Sequence, residues 1–300
     1  MASKKVNYSL VLLIIIISIF VSAFGFFSNK VVYENKTVQT INGDNVVLYG
    51  KGVYYNDSIS VASQAIAQDL VTLVVGCPLL IISLLLSIKN SLRGKLLLTG
   101  TIGYFLYTYT SYSFLAFYNK FFLFYVILMS LSFFCFIINF TSPELKNLVN
   151  HIKPKFPGIF IGIFLIIIGV FLLILWLGRI IPSINKLPAE LEHYTTMVIQ
   201  AMDLGFIVPV AILAGILLFK RKTLGYLLSS IVIVKGTTML LALVMMIIFM
   251  IISGVTVNII EIMVFPLFSI LCIVSLIIIL KNIAVAPPTP ASQSRTPPKH

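Results

Sequence analysis

Charged side chains are scarce in this sequence. They make up 10% of its 300 residues, and only nine of them are acidic. Soluble globular proteins carry roughly 25% charged residues, so water does not solvate most of this surface. Cysteine, histidine and tryptophan are also rare, with three, three and one residues. Each of these shortages argues against a class of protein or a kind of site.

The three cysteines do not form a framework. Cys77, Cys135 and Cys272 each lie within an apolar run. An odd number at such positions argues against disulfides, and their spacing does not match a metal site. We interpret them as small apolar packing residues. The histidines are dispersed, and no group of His, Asp and Glu has the spacing of metal ligands. We therefore expect neither a metal site nor a cofactor.

The motifs of common enzymes are missing. The chain has no glycine-rich phosphate loop, and no Ser-His-Asp set can be assembled from it. A membrane hydrolase or phosphatase normally needs more titratable groups than this chain contains. We predict no catalytic residue and disfavour an enzyme. A lipid-modifying enzyme whose acid is Asp69 or Asp203 stays open as a third alternative.

Apolar sequence is what the chain has in abundance. Hydrophobic residues make up 59% of it, and its mean hydropathy is +1.09. They form long blocks, and a run of about 20 apolar residues matches the hydrocarbon thickness of a bilayer. We predict an all-α membrane protein, an eight-helix transmembrane bundle. The predicted helices occupy about 9–27, 69–88, 96–117, 121–140, 157–178, 194–219, 223–252 and 259–280.

The first apolar block follows Lys4 and Lys5, an arrangement that signal peptides share. The block runs from Leu10 to Phe27, which is long for the apolar part of a signal peptide. No clear cleavage site with small residues follows it. We therefore predict an uncleaved first helix.

The basic residues between the apolar blocks predict the orientation. With the N-terminus in the cytoplasm, the cytoplasmic segments contain fourteen of the 21 lysines and arginines, and the external segments contain six. Such an excess is typical of the cytoplasmic side. We expect a cell-membrane protein with both termini in the cytoplasm. Its net charge of +12 comes from these clusters, so we expect contact with the lipid bilayer and none with nucleic acid.

The longest predicted external loop covers residues 28–68. Two β-rich runs in it flank Asn42-Gly43, a strong signal for a β-hairpin. A lone hairpin is marginally stable in water, so it must pack against the bundle, through Tyr54 and Tyr55, or against a protein partner. Asp57 or Ser58 is placed to cap a helix that continues into the second span.

The two halves of the chain resemble each other in layout. Pro78 precedes Gly94 by sixteen positions, and Pro209 precedes Gly225 by sixteen. This match favours two parallel four-helix repeats, an arrangement found in transporter folds. The alternative is that any multi-pass protein contains such prolines and glycines. The predicted divisions are a first half at 1–140, a second half at 141–282 and a disordered tail at 283–300.

Polar residues at membrane depth mark a candidate site. They recur every three or four positions on the second and sixth helices, so each set shares one helical face. Asp203 and Lys235 reach comparable depth from opposite sides, and a pair between them would offset much of the cost of burying charge. A static structural pair is the alternative to a functional one. The candidate ligand- or ion-binding residues are Asp69, Asp203, Lys235, Gln68, Gln200 and Tyr107.

Three short segments carry a resemblance. They are the run from Gln68 to Pro78, the run from Ala201 to Pro209, and Lys235-Gly236. The chain resembles a family of uncharacterised prokaryotic multi-pass integral membrane proteins with no assigned activity, over the second to seventh helices. The resemblance implies no function. It implies that the following residues belong to a shared pattern: Asp69, Pro78, Asp203, Pro209 and Lys235.

Two functional hypotheses follow. The first is a small-solute or ion transporter, or a receptor, with a polar cavity that opens outward between the halves and has Asp203 and Lys235 as its floor. The second is a non-catalytic assembly or sensor subunit that holds a protein partner at the external loop 28–68. Under the first hypothesis Asp203→Asn would abolish uptake or binding while the protein still inserts and folds. Under the second, neutralising Asp203 and Lys235 together would preserve function.

Overall fold

The structure, a computed structural model, describes residues 2–185 and 191–284. Nearly all of the predicted disordered tail therefore lies outside the described residues. The described helices are α1 (Ala2–Phe27), α2 (Ile59–Val71), α3 (Cys77–Ile88), α4 (Leu92–Phe114), α5 (Phe122–Phe140), α6 (Pro143–Lys146), α7 (Gly158–Ile180), α8 (Val198–Met202), α9 (Val208–Phe219), α10 (Thr223–Ile252) and α11 (Ile259–Lys281). Short 3-10 helices occupy Leu148–His151 and Ile181–Ser183.

Seven of the described helical segments are long and apolar enough to cross a membrane, which indicates a multi-pass membrane protein. They are Lys4–Phe27, Ile59–Ile88, Phe122–Phe140, Gly158–Ser183, Val198–Phe219, Thr223–Ile252 and Ile259–Lys281. The prediction named eight spans, and the remaining one corresponds to α4. This helix has 23 residues but is more polar, with its threonines and tyrosines largely buried in the protein. The count of eight stays a prediction.

The segment between α1 and α2 contains the predicted hairpin. Its strands, β1 (Thr37–Gln39) and β2 (Asn45–Val47), pair antiparallel, and Gly43 in the connecting turn has φ +89°. The side chain of Ser58 accepts a hydrogen bond from the backbone N–H of Val61 and caps α2, as predicted. Because α2 begins at Ile59, the connecting segment is shorter than the expected loop at 28–68.

Two helical segments contain π-helical turns at matching positions. Thr72–Gly76 joins α2 to α3, and Asp203–Ile207 joins α8 to α9. Each π turn ends two residues before a proline, Pro78 or Pro209. The π turns, the helices that follow them and the next helices all begin 131 positions apart (72 and 203, 77 and 208, 92 and 223).

The turns after α3 and α9 also match in detail. At the same spacing, Asn90 and Arg221 both adopt a left-handed conformation, with φ of 58° and 51°. A Cβ atom added to Gly94 would meet the backbone of residues 86 and 87 at 2.7–2.8 Å. A Cβ atom added to Gly225 would meet the backbone of residues 217 and 218 at 2.4–2.6 Å. Both turns therefore need glycine for the same steric reason.

Two clusters of buried apolar residues correspond roughly to the two halves. One is formed mainly by α1 to α5, and the other mainly by α7, α9, α10 and α11. Helix α10 packs against α2 and α4 and connects the clusters. The approach of α10 to α4 is close because Gly100 has no side chain, and a Cβ there would lie 2.4 Å from Cβ of Val234. Helix α7 also packs closely against α9, since the carbonyl of Gly162 lies against Gly215.

Candidate functional site

A cavity of about 820 Å³ lies between α2, α4, α7, α8, α10 and α11. At the end of the bundle that carries the hairpin, which we call the outer end, its lining includes Leu191 and Asn258, from the segments that precede α8 and α11. Its inner lining includes Asp203 and Lys235. The volume lies in the range of pockets that hold small organic ligands, about 300–1,000 Å³.

The two polar faces predicted from the sequence line this one cavity. Helix α2 contributes the three side chains at the start of its polar face, and the segment around α8 contributes a second set opposite. Thr72, the next residue at this four-residue spacing, begins the first π turn, is fully buried and does not line the cavity. The polar side chains that reach the cavity from these faces are Ser60, Gln64, Gln68, Thr196, Gln200 and Asp203.

Asp203 begins the second π turn, and its carboxylate is held by two donors from other helices. The hydroxyl of Tyr107 donates to Oδ1 at 2.7 Å, and the indole N–H of Trp176 donates to Oδ2 at 2.9 Å. The residue is 8% exposed. Hydrogen bonds to a charged group contribute about 1.5–3 kcal/mol each, so these two offset part of the cost of burying the carboxylate.

Lys235 lies close to the same tyrosine. Its ammonium nitrogen is 4.0 Å from the centroid of the Tyr107 ring. In the part of the chain that the structure describes, Lys235 forms no ion pair within 4.0 Å. The direct pair that the sequence suggested is therefore absent, because Tyr107 contacts both groups: its hydroxyl binds Asp203 and its ring faces Lys235. A cation over an aromatic ring gains about 0.5–2 kcal/mol.

The first half has a polar contact at the corresponding positions. By the 131-residue spacing that relates the π turns, Thr72 is the counterpart of Asp203, and Tyr104 is the counterpart of Lys235. The hydroxyls of Thr72 and Tyr104 are hydrogen bonded at 2.8 Å, and both residues are fully buried. The same helical positions therefore carry a neutral hydrogen bond in one half and two ionisable groups in the other.

Asp69 does not line this cavity. Its carboxylate accepts hydrogen bonds from Tyr54 at 2.5 Å and from Tyr112 at 3.3 Å, and it is 1% exposed. It packs against α1, where a Cβ on Gly25 would lie 1.8 Å from Asp69 Oδ2. Successive helical residues point about 100° apart, so Asp69 faces the first cluster while its neighbour Gln68 faces α4. Asp69 thereby links the segment between α1 and α2, through Tyr54, to α4, through Tyr112.

The remaining candidates, Gln68, Gln200 and Tyr107, all line the cavity. The amide of Gln68 donates to the hydroxyls of Tyr104 and Thr108 at 2.6 and 3.0 Å. Gln68 is 2% exposed, so it mainly orders α4 against α2. Of the six candidates, five therefore line one cavity and Asp69 lies in a separate polar cluster.

One wall of the cavity is apolar. Helices α7, α10 and α11 supply aliphatic, methionine and phenylalanine side chains, in contrast to the polar residues of α2, α4 and α8. Methionine adapts its shape to irregular surfaces. The apolar side chains that form this wall include Leu165, Ile168, Leu172, Leu175, Met239, Leu243, Met246, Met250, Phe265 and Phe268.

A hydrogen-bonded contact lies beside the outer end of the cavity. The Tyr194 hydroxyl donates to Asp57 Oδ1 at 2.9 Å and accepts from the backbone N–H of Ser58 at 3.2 Å. The same carboxylate oxygen accepts from the backbone N–H of Phe117 at 2.8 Å. Burial raises the pKa of Asp57 to about 7, although both hydrogen bonds act to lower it, and the charge of Glu192 raises it further.

A second contact lies at the same end of the cavity. Arg179, at the end of α7, forms an ion pair with Glu261, in the first turn of α11. Both side chains line the cavity. No local sequence pattern relates Arg179 to Glu261, since the two residues are 82 positions apart.

Several residues of the site were missed at the sequence level. Trp176 binds Asp203, and Tyr194 binds Asp57, yet neither was a candidate. The only signal for Trp176 was that it is the one tryptophan of the chain, in a helix whose other aromatic residues are all phenylalanine. Tyr194 follows Glu192 and His193, and such a polar run is equally typical of a helix end that reaches water.

Among the described residues, no group of three or more His, Cys, Asp and Glu side chains could hold a metal ion. Comparison of the whole chain with protein-family models, with curated proteins and with solved structures finds no match.

Proposed function

We propose that this chain is an eight-span protein of the cell membrane that binds a small solute in the cavity, as a transporter or a receptor. The hairpin end faces outward and both termini lie in the cytoplasm. The distribution of basic residues supports this orientation. The polar side chains of α4 are largely buried, which supports counting it as the eighth span because polar groups inside a membrane normally face protein.

One observation carries the proposal: the cavity extends from the hairpin end of the bundle to Asp203 and Lys235. An ionisable group at the bilayer centre costs at least ~2.5–3.5 kcal/mol on insertion scales. Two such groups persist here beside a cavity, where Tyr107 and Trp176 contact them. A site of this kind serves a ligand, since packing alone would be satisfied by the neutral contact found at Thr72 and Tyr104.

The experiment has two stages. First, Gln200→Cys and, as a control, Ser132→Cys are treated in whole cells with a membrane-impermeant thiol reagent. Gln200 lines the cavity, whereas Ser132 is fully buried outside it. Labelling of the first variant alone supports an outward opening, and labelling of neither contradicts it. A background in which the three native cysteines, all buried, are replaced by alanine removes their signal.

The second stage identifies the activity. Solutes are screened for thermal stabilisation of the purified protein in lipid vesicles, and those that bind are tested for uptake into the same vesicles. Asp203→Asn should abolish stabilisation while the variant still inserts and folds. Uptake of a binding solute assigns a transporter, and binding without uptake assigns a receptor. If no solute distinguishes wild type from the variant, the proposal is wrong.

An assembly or sensor subunit is the second candidate, because the external segment exposes apolar side chains. Ile41 at the tip of the hairpin is 88% exposed, and Val31 and Val47 are 49% and 40% exposed. Such residues suit a protein partner. Under this alternative, deletion of residues 36–50 loses a partner in a cross-linking experiment, and neutralisation of both Asp203 and Lys235 preserves function.

A further inference from the structure

The two ionisable groups of the cavity differ in how completely they are satisfied. Each oxygen of Asp203 accepts a hydrogen bond, one from Tyr107 and one from Trp176. Lys235 has three N–H donors, but among the described residues its ammonium has no hydrogen-bond acceptor and lies against the face of the Tyr107 ring. The unsatisfied member of the site is therefore the cation.

Among the described residues that line the cavity, no other basic side chain lacks an ion-pair partner. Among the described residues, the lining contains two basic side chains, Lys235 and Arg179. Arg179 is paired with Glu261 at the outer end. An anion that enters the cavity thus meets one unpaired positive group, and that group lies at the inner end. A cationic ligand would share each oxygen of Asp203 with a donor that is already bound, Tyr107 or Trp176, and the charge of Lys235 would repel it.

The shape of the remaining wall indicates what the rest of such a ligand is. Next to Lys235, α7, α10 and α11 present an aliphatic and aromatic surface that includes Leu165, Met239 and Phe268. A small inorganic anion would leave this surface unfilled, whereas an apolar body would bury it and gain about 25 cal/mol per Å².

We propose that the cavity binds an amphipathic anion: an anionic head group on Lys235 joined to a single apolar chain that lies along α7, α10 and α11. This inference rests on the proposed function and specifies its ligand class. The cavity of about 820 Å³ accommodates one such chain. The head group chemistry is shared by a free carboxylate and by an anionic lipid, and the test separates the two sources.

The protein contains its own reporter for this ligand. Trp176 is the one tryptophan of the chain, it lines the cavity, and it donates to Asp203. A brominated ligand seated in the cavity quenches its fluorescence. The protein in phosphatidylcholine vesicles is titrated with 11-bromoundecanoate, with the matched alcohol 11-bromoundecanol, and with the matched trimethylammonium compound.

The expected result is saturable quenching by the carboxylate and only linear, partition-type quenching by the alcohol and the cation. Lys235→Gln should weaken binding of the carboxylate at least about ten-fold, and Lys235→Arg should retain that binding. Lys120→Gln removes the same charge from a lysine that contacts Phe24 and Phe121 outside the cavity, and it should bind as wild type does. Circular dichroism shows whether Lys235→Gln is folded. If it is not, Lys235→Met, which also removes the charge, takes its place.

Other outcomes overturn the inference. Equal quenching by the alcohol, or unchanged binding in Lys235→Gln, shows that the charge on Lys235 recognises nothing. If the cation gives saturable quenching and Asp203→Asn abolishes that quenching, the ligand is not anionic, but the proposed function stays intact. The proposed function fails separately, when Gln200→Cys is not labelled from outside. Quenching by a brominated lysophosphatidylglycerol, an anionic lipid with one acyl chain, that Lys235→Gln abolishes assigns the head group to a lipid.

Discussion

The hydroxyl of Tyr107 donates a 2.7 Å hydrogen bond to the carboxylate of Asp203. The ring of the same tyrosine faces the ammonium of Lys235 at 4.0 Å. One side chain from α4 thus contacts an anion from the π turn of one helix and a cation from the middle of another. The two ionisable groups are held apart, and the cation keeps donors that no other described residue uses.

Replacing Tyr107 separates its two contacts. Tyr107→Phe removes the donor to Asp203 and keeps the ring beneath Lys235, while Tyr107→Leu removes both. We expect Tyr107→Phe to lower the free energy of unfolding by about 1–3 kcal/mol, because a buried acceptor loses its partner, and Tyr107→Leu to lower it further. Reversible unfolding in lipid vesicles measures both. Tyr118→Phe, at a residue that is 73% exposed, is the control and should change little.

The contact between Gly25 and Asp69 predicts a strong steric effect. A Cβ at position 25 would lie 1.8 Å from Asp69 Oδ2 and 2.9 Å from the Tyr54 hydroxyl. Gly25→Ala should therefore destabilise the protein by about 1–3 kcal/mol or more, as overpacking does. Gly178→Ala is the matched control, since no described atom lies within 4 Å of its added Cβ. Equal thermal stability of the two variants would contradict this packing.

Stability should depend on pH through Asp57. Its pKa is about 7 in the folded protein because burial disfavours the charge, against about 3.9 for a solvated aspartate. The stabilisation that comes from this raised pKa is fully present below about pH 4 and is lost as the pH rises towards 7. Relative to Asp57→Asn, wild type should lose up to about 1.4 kcal/mol per pH unit over this window.

Thermal unfolding of both proteins between pH 5 and pH 8 measures that difference. The other groups around Asp57 are Tyr194, which donates to it, Glu192, whose charge raises its pKa, and His193, whose ring packs against that of Tyr194. His193→Gln therefore accompanies the experiment as a control for the imidazole. A difference between wild type and Asp57→Asn that is constant with pH would show that Asp57 is ionised throughout.

The matched turns predict matched sensitivity. In Gly94→Ala and in Gly225→Ala the added Cβ meets the backbone of the preceding helix at the same two positions of the turn. Both substitutions should lower stability by a similar amount, about 1–3 kcal/mol. Gly205→Ala, with open space around its added Cβ, serves for comparison and should be neutral or stabilising. Tolerance of one turn and not the other would argue against a repeat.

The helices and turns were largely predictable because local sequence specifies them. Long apolar runs give helices of membrane-spanning length, Asn42-Gly43 gives the hairpin turn, and Ser58 caps the helix that follows it. The π turns were not predicted. The sequence shows only the prolines that follow them, Pro78 and Pro209. A proline disturbs the hydrogen bonds of the preceding helical turn, but this does not specify a π turn.

The sequence by itself determined the membrane character, the order of the helices and the presence of ionisable groups at depth, because each follows from hydropathy and spacing within one segment. The tertiary structure alone decided that Asp69 faces α1, that Tyr107 lies between Asp203 and Lys235, and that Trp176 completes the site. These contacts join helices far apart in the chain. They depend on how each helix is rotated and packed against its neighbours, which no local pattern of residues specifies.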